Sequence, residues 1–414
     1  MDRVILHCDL NNFYASVECL YNPEIRDKPV AVCGSQEDRH GIVLAKNCIA
    51  KKYGVQTGET IWQSKLKCPD LLVVPPRYHL YQHFSKLTRK IYERYTDQIE
   101  SFGIDECWLD VTGSTRLFGS GERIAEEIRQ TVKRELGLTL SIGVSFNKIF
   151  AKLGSDLQKP DAVTVISRNN YKNLVWPLPA GSLLYVGPAT RRRLARIGIE
   201  TIGQLAAASP ELLSCQLGKW GEILWAFANG LDTSPVLKVD FQHPIKSIGN
   251  SITTRVDLKN DEEVKKTFYV LAESVAERLR KHNFKGFTVG IWVRDNSFYS
   301  ETRQTKLESP TFLSTEIADK ALELFKKNYD WQKRKPIRSL GIRMSDLVVA
   351  DTAIQLSFYD DVEKNIKMES LEKSIDKIRQ RFGSYAIQRA ILLKEKNITK
   401  NSLVEDVSSF SYFR

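Results

Sequence analysis

No stretch of these 414 residues approaches the ~18–20 consecutive apolar positions that a bilayer-spanning helix needs, which excludes a membrane-spanning protein. The N-terminus, MDRVILHCDLNN, does not read as a secretory leader either, because acidic and polar residues arrive too early. No CxxC pair occurs, and the seven cysteines (Cys8, Cys19, Cys33, Cys48, Cys68, Cys107 and Cys215) are an odd number. That argues against a disulfide framework and a structural zinc site, so a reducing cytoplasm is the expected compartment. Repeats and low-complexity tracts are absent too. What is present is ordinary globular material: 42% hydrophobic and 27% charged residues, enough for real cores and against wholesale disorder. The length implies roughly two to four domains, since one core rarely grows past ~250–300 residues. The first positive clue is charge. With 61 Lys+Arg against 50 Asp+Glu, the net +11 fits a polyanionic partner without identifying one.

Val4–Cys8 is a short, mostly apolar run that stops at Asp9, so it reads as a buried strand delivering a carboxylate at its end. Asn11 or Asn12 is placed to cap a following helix whose apolar face is Phe13, Val17 and Leu20. Residues 29–76, broken by Pro and Gly, read as a small inserted subdomain. Tyr81, Phe84, Leu87, Ile91 and Tyr95 then recur at helical spacing. Two short strands, Ile99–Ile104 and Cys107–Val111, meet at Asp105-Glu106, and Ser120 opens a helix marked by Ile124, Ile128, Val132 and Leu136. Thr139–Val144 is the next strand. The order strand, helix, strand, strand, helix, strand is the split βαβ of ferredoxin-like sheets, with residues 11–76 inserted after the first strand. A helix (Lys148–Leu157) and a strand (Ala162–Ile166) complete the region. Residues 168–233 read as helical, and 234–245 as a linker. From 246 to 349 strands (Ser251–Val256, Phe287–Val293) and helices (Glu262–His282, Ser314–Tyr329) return, giving an α+β chain. Residues 234–349 hold 21 Lys/Arg and 15 Asp/Glu, over half of the basic excess. The tail, 350–414, shows one amphipathic helix, Met368–Arg381.

In a regular strand Asp105 and Glu106 point to opposite faces, so both serve one site only if the chain bends there, as at a hairpin apex. The first strand and this hairpin are central neighbours in a split βαβ sheet, which gathers Asp9, Asp105 and Glu106 at one end. Three acids packed together need counter-charge. Divalent cations supply it, and a pair of them ~3.5–4 Å apart supports in-line phosphoryl displacement. Spacing alone also allows three exposed acids at strand ends.

At these residues the chain resembles the Y-family (translesion) DNA polymerases, particularly the bacterial polymerase IV and UmuC-like branches. The matching text is Cys8-Asp9-Leu10-Asn11-Asn12-Phe13-Tyr14-Ala15-Ser16-Val17-Glu18, Gly103-Ile104-Asp105-Glu106, and Ser141-Ile142-Gly143-Val144-Ser145-Phe146-Asn147-Lys148, followed by Ala151-Lys152 and Lys159-Pro160. The similarity runs in order from residue 4 to about 349. It implies a right-hand polymerase with a ferredoxin-like palm (1–10 and 77–167), small fingers (11–76), a helical thumb (168–233), a linker (234–245), a DNA-binding little finger (246–349) and a tail (350–414). In such enzymes the carboxylates at Asp9, Asp105 and Glu106, with the Leu10 carbonyl, hold two Mg²⁺ ions. Tyr14 matches the steric gate that excludes a ribose 2′-hydroxyl. Lys159 matches the lysine reaching the triphosphate, with backbone N–H groups near Phe13 and Tyr14. Where the family commonly has Tyr and Arg on the fingers, Cys48 and Lys51 stand here; Lys51 keeps charge but not the bidentate fork. Gly103 replaces a usual serine. The turn at Gly187 matches the thumb's helix-hairpin-helix; there Pro188 lacks an N–H and Ala189 replaces the usual second Gly, with Arg191, Arg192, Arg193 and Arg196 supplying charge instead. Arg255, Arg338 and Arg343 fall on the little-finger strands expected to grip duplex DNA. Gln355-Leu356-Ser357-Phe358-Tyr359 resembles a sliding-clamp-binding peptide.

The resemblance implies a template-directed, low-fidelity polymerase for translesion synthesis and DNA repair, acting as a monomer on primer-template DNA and dNTPs. Dependence on accessory damage-response proteins is part of the same expectation. A second reading keeps the scaffold without catalysis, as a DNA-binding platform; it predicts a broken acidic triad, and the triad is intact. A nucleotide cyclase shares the palm but not the basic thumb and little finger.

Overall fold

The computed structural model describes residues 2–352 and 362–392, except 38, 40 and 242. The described residues divide into two compact units, the first holding 2–34 and 42–241, the second 35–37, 39, 41, 243–352 and 362–392.

The first unit begins with β1 (Ile5–Leu10), buried along its whole length. The chain turns through Asn12 at φ 50 into α1 (Phe13–Tyr21), whose first turn receives no side-chain cap. Neither asparagine caps it. Asn11 instead binds Ser141 Oγ at 3.1 Å and accepts the Asp161 N–H at 2.8 Å, and Asn12 donates to Cys48 Sγ at 3.1 Å. Although the sequence pattern places α1 in the insertion, Phe13, Ala15 and Val17 share the core of the large sheet. Strands β2 (Val30–Cys33), β3 (Val43–Lys46) and β4 (Leu72–Val74) form a separate small sheet in the order β3-β2-β4. It carries α2 (Cys48–Lys52), capped by Asn47, and α3 (Ile61–Lys67), opened by a Thr60/Gln63 capping box.

The large sheet continues through α4 (Tyr78–Tyr92), β5 (Ile99–Ser101), β6 (Glu106–Asp110), α5 (Thr115–Phe118), α6 (Gly121–Leu136), β7 (Leu140–Ser145), α7 (Lys148–Leu157) and β8 (Val163–Ile166). Its order is β5-β6-β1-β7-β8, so β1 is central between the hairpin and β7 as a split βαβ requires. Leu6, Cys8, Leu109, Ile142, Tyr81, Ile124, Ile128 and Val132 pack together on one face. On the other face α7 lies against the backbone: a Cβ added at Gly143 would fall 1.9 Å from the Ala151 carbonyl oxygen. The helical region comprises α8 (Tyr171–Val175), α9 (Pro188–Arg196), α10 (Ile202–Ala207), α11 (Pro210–Leu217) and α12 (Lys219–Ala228), around Phe150, Leu194, Ile202, Leu205, Leu213 and Leu224. The segment that reads as a linker is strapped to the sheet: Val236 is buried beside Ile5 and Trp108, and the Leu237 N–H binds Glu100 Oε2 at 3.0 Å.

The second unit holds β9 (Ser247–Leu258), α13 (Asp261–Lys281), β10 (Phe284–Asp295), β11 (Ser300–Thr311), α14 (Ser314–Asn328), β12 (Ile337–Val349) and α15 (Val362–Phe382). The sheet order is β11-β10-β12-β9, with α13 and α14 on one face. The tail helix is longer than its sequence pattern implies and is oriented differently. Leu371 and Phe382 are exposed, whereas Glu372 and Arg379 are buried. The reason is a paired charge network: Arg280 binds Asp376 at 2.5 Å and also Glu372, while Arg379 binds Glu273 at 2.9 Å. Glu372 additionally accepts the Ser314 N–H at 2.9 Å, acting as a distant cap for α14. Residues 355–359 lie outside the described residues. Among the described residues no helix is long and apolar enough to cross a membrane.

Candidate active site and nucleic-acid surfaces

Antiparallel pairing of β1 with β6 sets Asp9 directly opposite Glu106, and the Leu10 N–H binds the Asp105 carbonyl at 3.1 Å. All three predicted carboxylates are therefore at one end of the sheet. Gly103 gives them room: a Cβ there would stand 3.3 Å from Asp105 Oδ1. Burial, reinforced by the charges of Asp9 and Glu106, pushes Asp105 up to about 7. Asp9 is raised as well, mainly by burial, with the Lys159 ammonium only partly offsetting it. Glu106 goes the other way. Burial would raise it, but the His7 and Lys152 contacts outweigh that and bring it down to about 2. His7 itself is lowered, chiefly by burial.

Two lysines stand where cations are needed. Lys159 Nζ is 2.6 Å from Asp9 Oδ2 and 2.8 Å from Asp156, and Lys152 Nζ is 2.5 Å from Glu106 Oε2. Among the described residues, no set of three His, Cys, Asp or Glu side chains converges closely enough to hold a metal ion as the side chains stand. The donor chemistry nevertheless fits a hard divalent cation. The side-chain oxygens are all carboxylate, and burial and two like charges oppose the ionised form of Asp105, which no lysine contacts directly among the described residues. Lys152, His7 and Ser155 are parts of this site that sequence reasoning misses. Lys152 lies within the matched text, but nothing in a helix pattern says that it reaches a carboxylate 46 positions earlier.

Tyr14 stands beside the carboxylates; burial raises its hydroxyl and the Asp105 charge adds to the effect. Its ring stacks on Tyr81 with centroids 4.1 Å apart and planes 9° from parallel. Tyr81 is fixed in turn by its hydroxyl on Glu18 Oε1 at 2.6 Å, and Arg77 holds Glu18. On the small sheet, Cys48 is engaged with Asn12, and Lys51 is exposed. Lys46, which no sequence motif singles out, is lowered by burial and then by the charge of Lys51. Two cations that repel each other suit an anion.

In the helical region Gly187 is the N-cap of α9 and Ala189 lies in its first turn. Arg191, Arg192, Arg193 and Arg196 are exposed, with no acidic partner among the described residues. In the second unit the sheet's open face carries a groove of about 720 Å³ lined by residues including Gly249, Ser251, Gly290, Trp292, Gly341 and Arg343. Arg343 pairs with Gly249 on one side and Gly290 on the other, so its exposed side chain rises between two positions without side chains. Arg255 falls on the same strand face as Ser251 and Thr253 by alternation. Arg338 does not line this groove; its guanidinium lies 5.1 Å from the Phe298 ring centroid.

A split βαβ sheet with clustered acids, a small lobe, a helical lobe and a basic accessory sheet defines a right-hand polymerase architecture. The impB/mucB/samB family matches residues 8–156, and its C-terminal domain matches 245–358. The DNA polymerase IV of Acetivibrio thermocellus is 58% identical over 97% of this chain and 100% of its own length. That of Clostridium acetobutylicum is 36% identical over 96% and 100%, and DNA polymerase IV 1 of Bacillus subtilis 36% over 97% and 96%. A solved Y-family DNA polymerase chimera of Dbh and Dpo4 superposes with a TM-score of 0.75 at 23% identity, over 84% of this chain and 99% of its own. The chain belongs to the impB/mucB/samB family of Y-family DNA polymerases: it is a DNA-directed DNA polymerase of the translesion type. The noncatalytic scaffold is not favoured.

Proposed function

We propose that Asp9, Asp105 and Glu106, with the Leu10 carbonyl, hold two Mg²⁺ ions and make this the site of nucleotide addition to a primer 3′-hydroxyl. The carrying observation is the register that opposes Asp9 to Glu106 while Asp105 is pushed up to about 7 beside them. Bound there, the ions supply acidification of the 3′-hydroxyl and neutralisation of the departing pyrophosphate. The chain's own residues bind and orient. Lys159 exchanges Asp9 for the triphosphate, Lys51 and Lys46 add charge, and the uncapped first turn of α1 offers the N–H groups of Phe13 and Tyr14. Cys48 contributes less here, being engaged with Asn12. The test is extension of a primed, undamaged template with Mg²⁺ and four dNTPs. Protein that binds the DNA but never extends it overturns the assignment.

Gly187, Ala189 and Arg191 on the thumb, with Arg255, Arg338 and Arg343 on the little finger, are proposed to hold DNA through its phosphates. Such contacts are independent of sequence and release counterions. Affinity for duplex primer-template is expected to fall by ~10³ or more between 50 and 200 mM salt if roughly six or more phosphates are engaged. Arg343→Ala should flatten the salt dependence by about one ion equivalent. A native affinity indifferent to salt would remove these surfaces from the mechanism.

Gln355, Leu356, Phe358 and Tyr359 are proposed to bind a sliding clamp, two apolar anchors filling a surface pocket. Replacing Leu356 and Phe358 together with alanine should cancel stimulation by clamp while leaving clamp-free synthesis intact. Equal stimulation of both proteins would show the segment to be idle. Cytoplasmic action, as a monomer and with accessory damage-response proteins, completes this reading.

A further inference from the structure

Glu106 is held from behind by groups that lie far from it in the chain. His7 is wholly buried on β1, in register opposite Trp108 on one side and Gly143 on the other. Because Gly143 has no side chain, α7 presses directly onto the sheet beside His7. That seats Ser155 Oγ 2.8 Å from His7 Nδ1 and Lys152 Nζ 2.5 Å from Glu106 Oε2. The Trp108 ring meets His7 edge-on with centroids 5.4 Å apart, and Trp108 is anchored by its indole N–H on the Lys148 carbonyl at 2.9 Å. The imidazole has little freedom to turn.

Hydrogen counting then assigns its tautomer. Ser155 has one hydroxyl hydrogen and two acceptors in reach, His7 Nδ1 at 2.8 Å and the Lys152 carbonyl at 2.7 Å. If the hydrogen goes to Lys152, His7 must donate from Nδ1. Its Nε2 lone pair then faces the Glu106 carboxylate at 3.2 Å, in a fully buried position with no hydrogen-bond partner among the described residues. If the hydrogen goes to Nδ1, Nε2 carries the N–H and points it at Glu106 Oε2. The second arrangement turns that repulsion into an attraction between an N–H and a carboxylate oxygen 3.2 Å apart, a contact short of full hydrogen-bond geometry.

We propose that His7, set by Ser155 and Trp108, is a positioning residue for nucleotide addition. Together with Lys152 it occupies Glu106 Oε2, leaving Oε1 as the oxygen presented to a catalytic metal ion. Oε1 makes no hydrogen bond among the described residues. Outer partners of this kind fix ligand orientation and commonly govern metal affinity. The proposal rests on the metal reading of the acidic triad.

The test uses Mn²⁺ as the probe, titrated into the full chain bound to primer-template DNA and followed by the resonance of the free ion. Single-nucleotide incorporation is measured in parallel. His7→Leu is expected to weaken Mn²⁺ binding by ~10–100-fold and to lower kcat while leaving KM for dNTP nearly unchanged. His7→Gln, whose amide can donate to Glu106, should recover most of both. Ser155→Ala, which removes one hydroxyl, should shift them the same way to a smaller extent, and it decides the matter if His7→Leu does not fold. A folded His7→Leu, or Ser155→Ala in its place, with native Mn²⁺ affinity overturns the role of His7, as does a Gln variant no better than Leu. Glu106→Ala separates the two levels: unchanged Mn²⁺ binding there overturns the metal reading itself, whereas loss there with native binding in His7→Leu overturns only the positioning role.

Discussion

Glu106→Ala is expected to abolish primer extension, with single-turnover incorporation falling about 10³-fold or more while primer-template affinity stays within about twofold of native. A 10³-fold loss corresponds to about 4 kcal/mol of transition-state stabilisation, the size expected when a preorganised charge at the reacting centre is removed. The separation of effects follows from the layout. The carboxylates lie at the end of β1 and β6, whereas the proposed DNA contacts sit on α9 and on the open sheet of the second unit. The substitution also leaves Lys152 and His7 facing an empty position, so the local loss is more than one ligand. Glu106→Gln keeps the volume and the contacts but not the charge, and should be nearly as inactive. Asp9→Asn should match it. Native-rate extension by Glu106→Ala would mean that the polymerising centre is elsewhere or that a contaminant supplies the activity; weakened DNA binding in step with extension would mean that the mutation damages the fold.

Much of this site is legible in the amino-acid sequence, for identifiable reasons. Val4–Cys8 is mostly apolar because both faces of β1 are covered, and the run ends at Asp9, where the carboxylates of β1 and β6 come together. The Asp105-Glu106 step is recognisable as a bend because regular alternation would send the two carboxylates apart. The features that stay hidden depend on contacts between distant positions. Strand β11, SETRQTKLESPT, is a polar edge strand with no apolar rhythm, so only its pairing with β10 reveals it. The charged side of α15 is turned inward because Arg280 and Glu273, about 100 positions earlier, await it. A helix pattern alone assigns the apolar stripe to the core, and buried ion pairs defeat that rule whenever both partners are supplied. His7 reads as one more member of a buried strand. Its role depends on Ser155 and on Gly143 letting α7 approach, neither of which is visible from β1.

Tyr14→Ala should leave dNTP incorporation within a few-fold of native and raise rNTP incorporation by ~10–200-fold, the equivalent of relieving ~1–3 kcal/mol of steric overlap. The ring, not the hydroxyl, is assigned the exclusion. Tyr14 Oη makes no hydrogen bond among the described residues, and its plane is fixed by stacking on Tyr81 at 4.1 Å and by the Tyr78 edge at 6.0 Å. Tyr14→Phe is therefore expected to discriminate like the native protein. Alanine removes the ring while leaving its support intact, because Tyr81 is independently held by Glu18 at 2.6 Å and Glu18 by Arg77. That independence lets the support be tested too. Tyr81→Leu, which withdraws the stacking surface but keeps Tyr14, should relax rNTP exclusion only partly, since a loosened ring still occupies the space for much of the time. Paired measurements of kcat/KM for dCTP and rCTP opposite template dG distinguish these cases. Unchanged discrimination in Tyr14→Ala would place sugar selection on another side chain, and discrimination lost equally in Tyr14→Phe would shift the role from the ring to its hydroxyl.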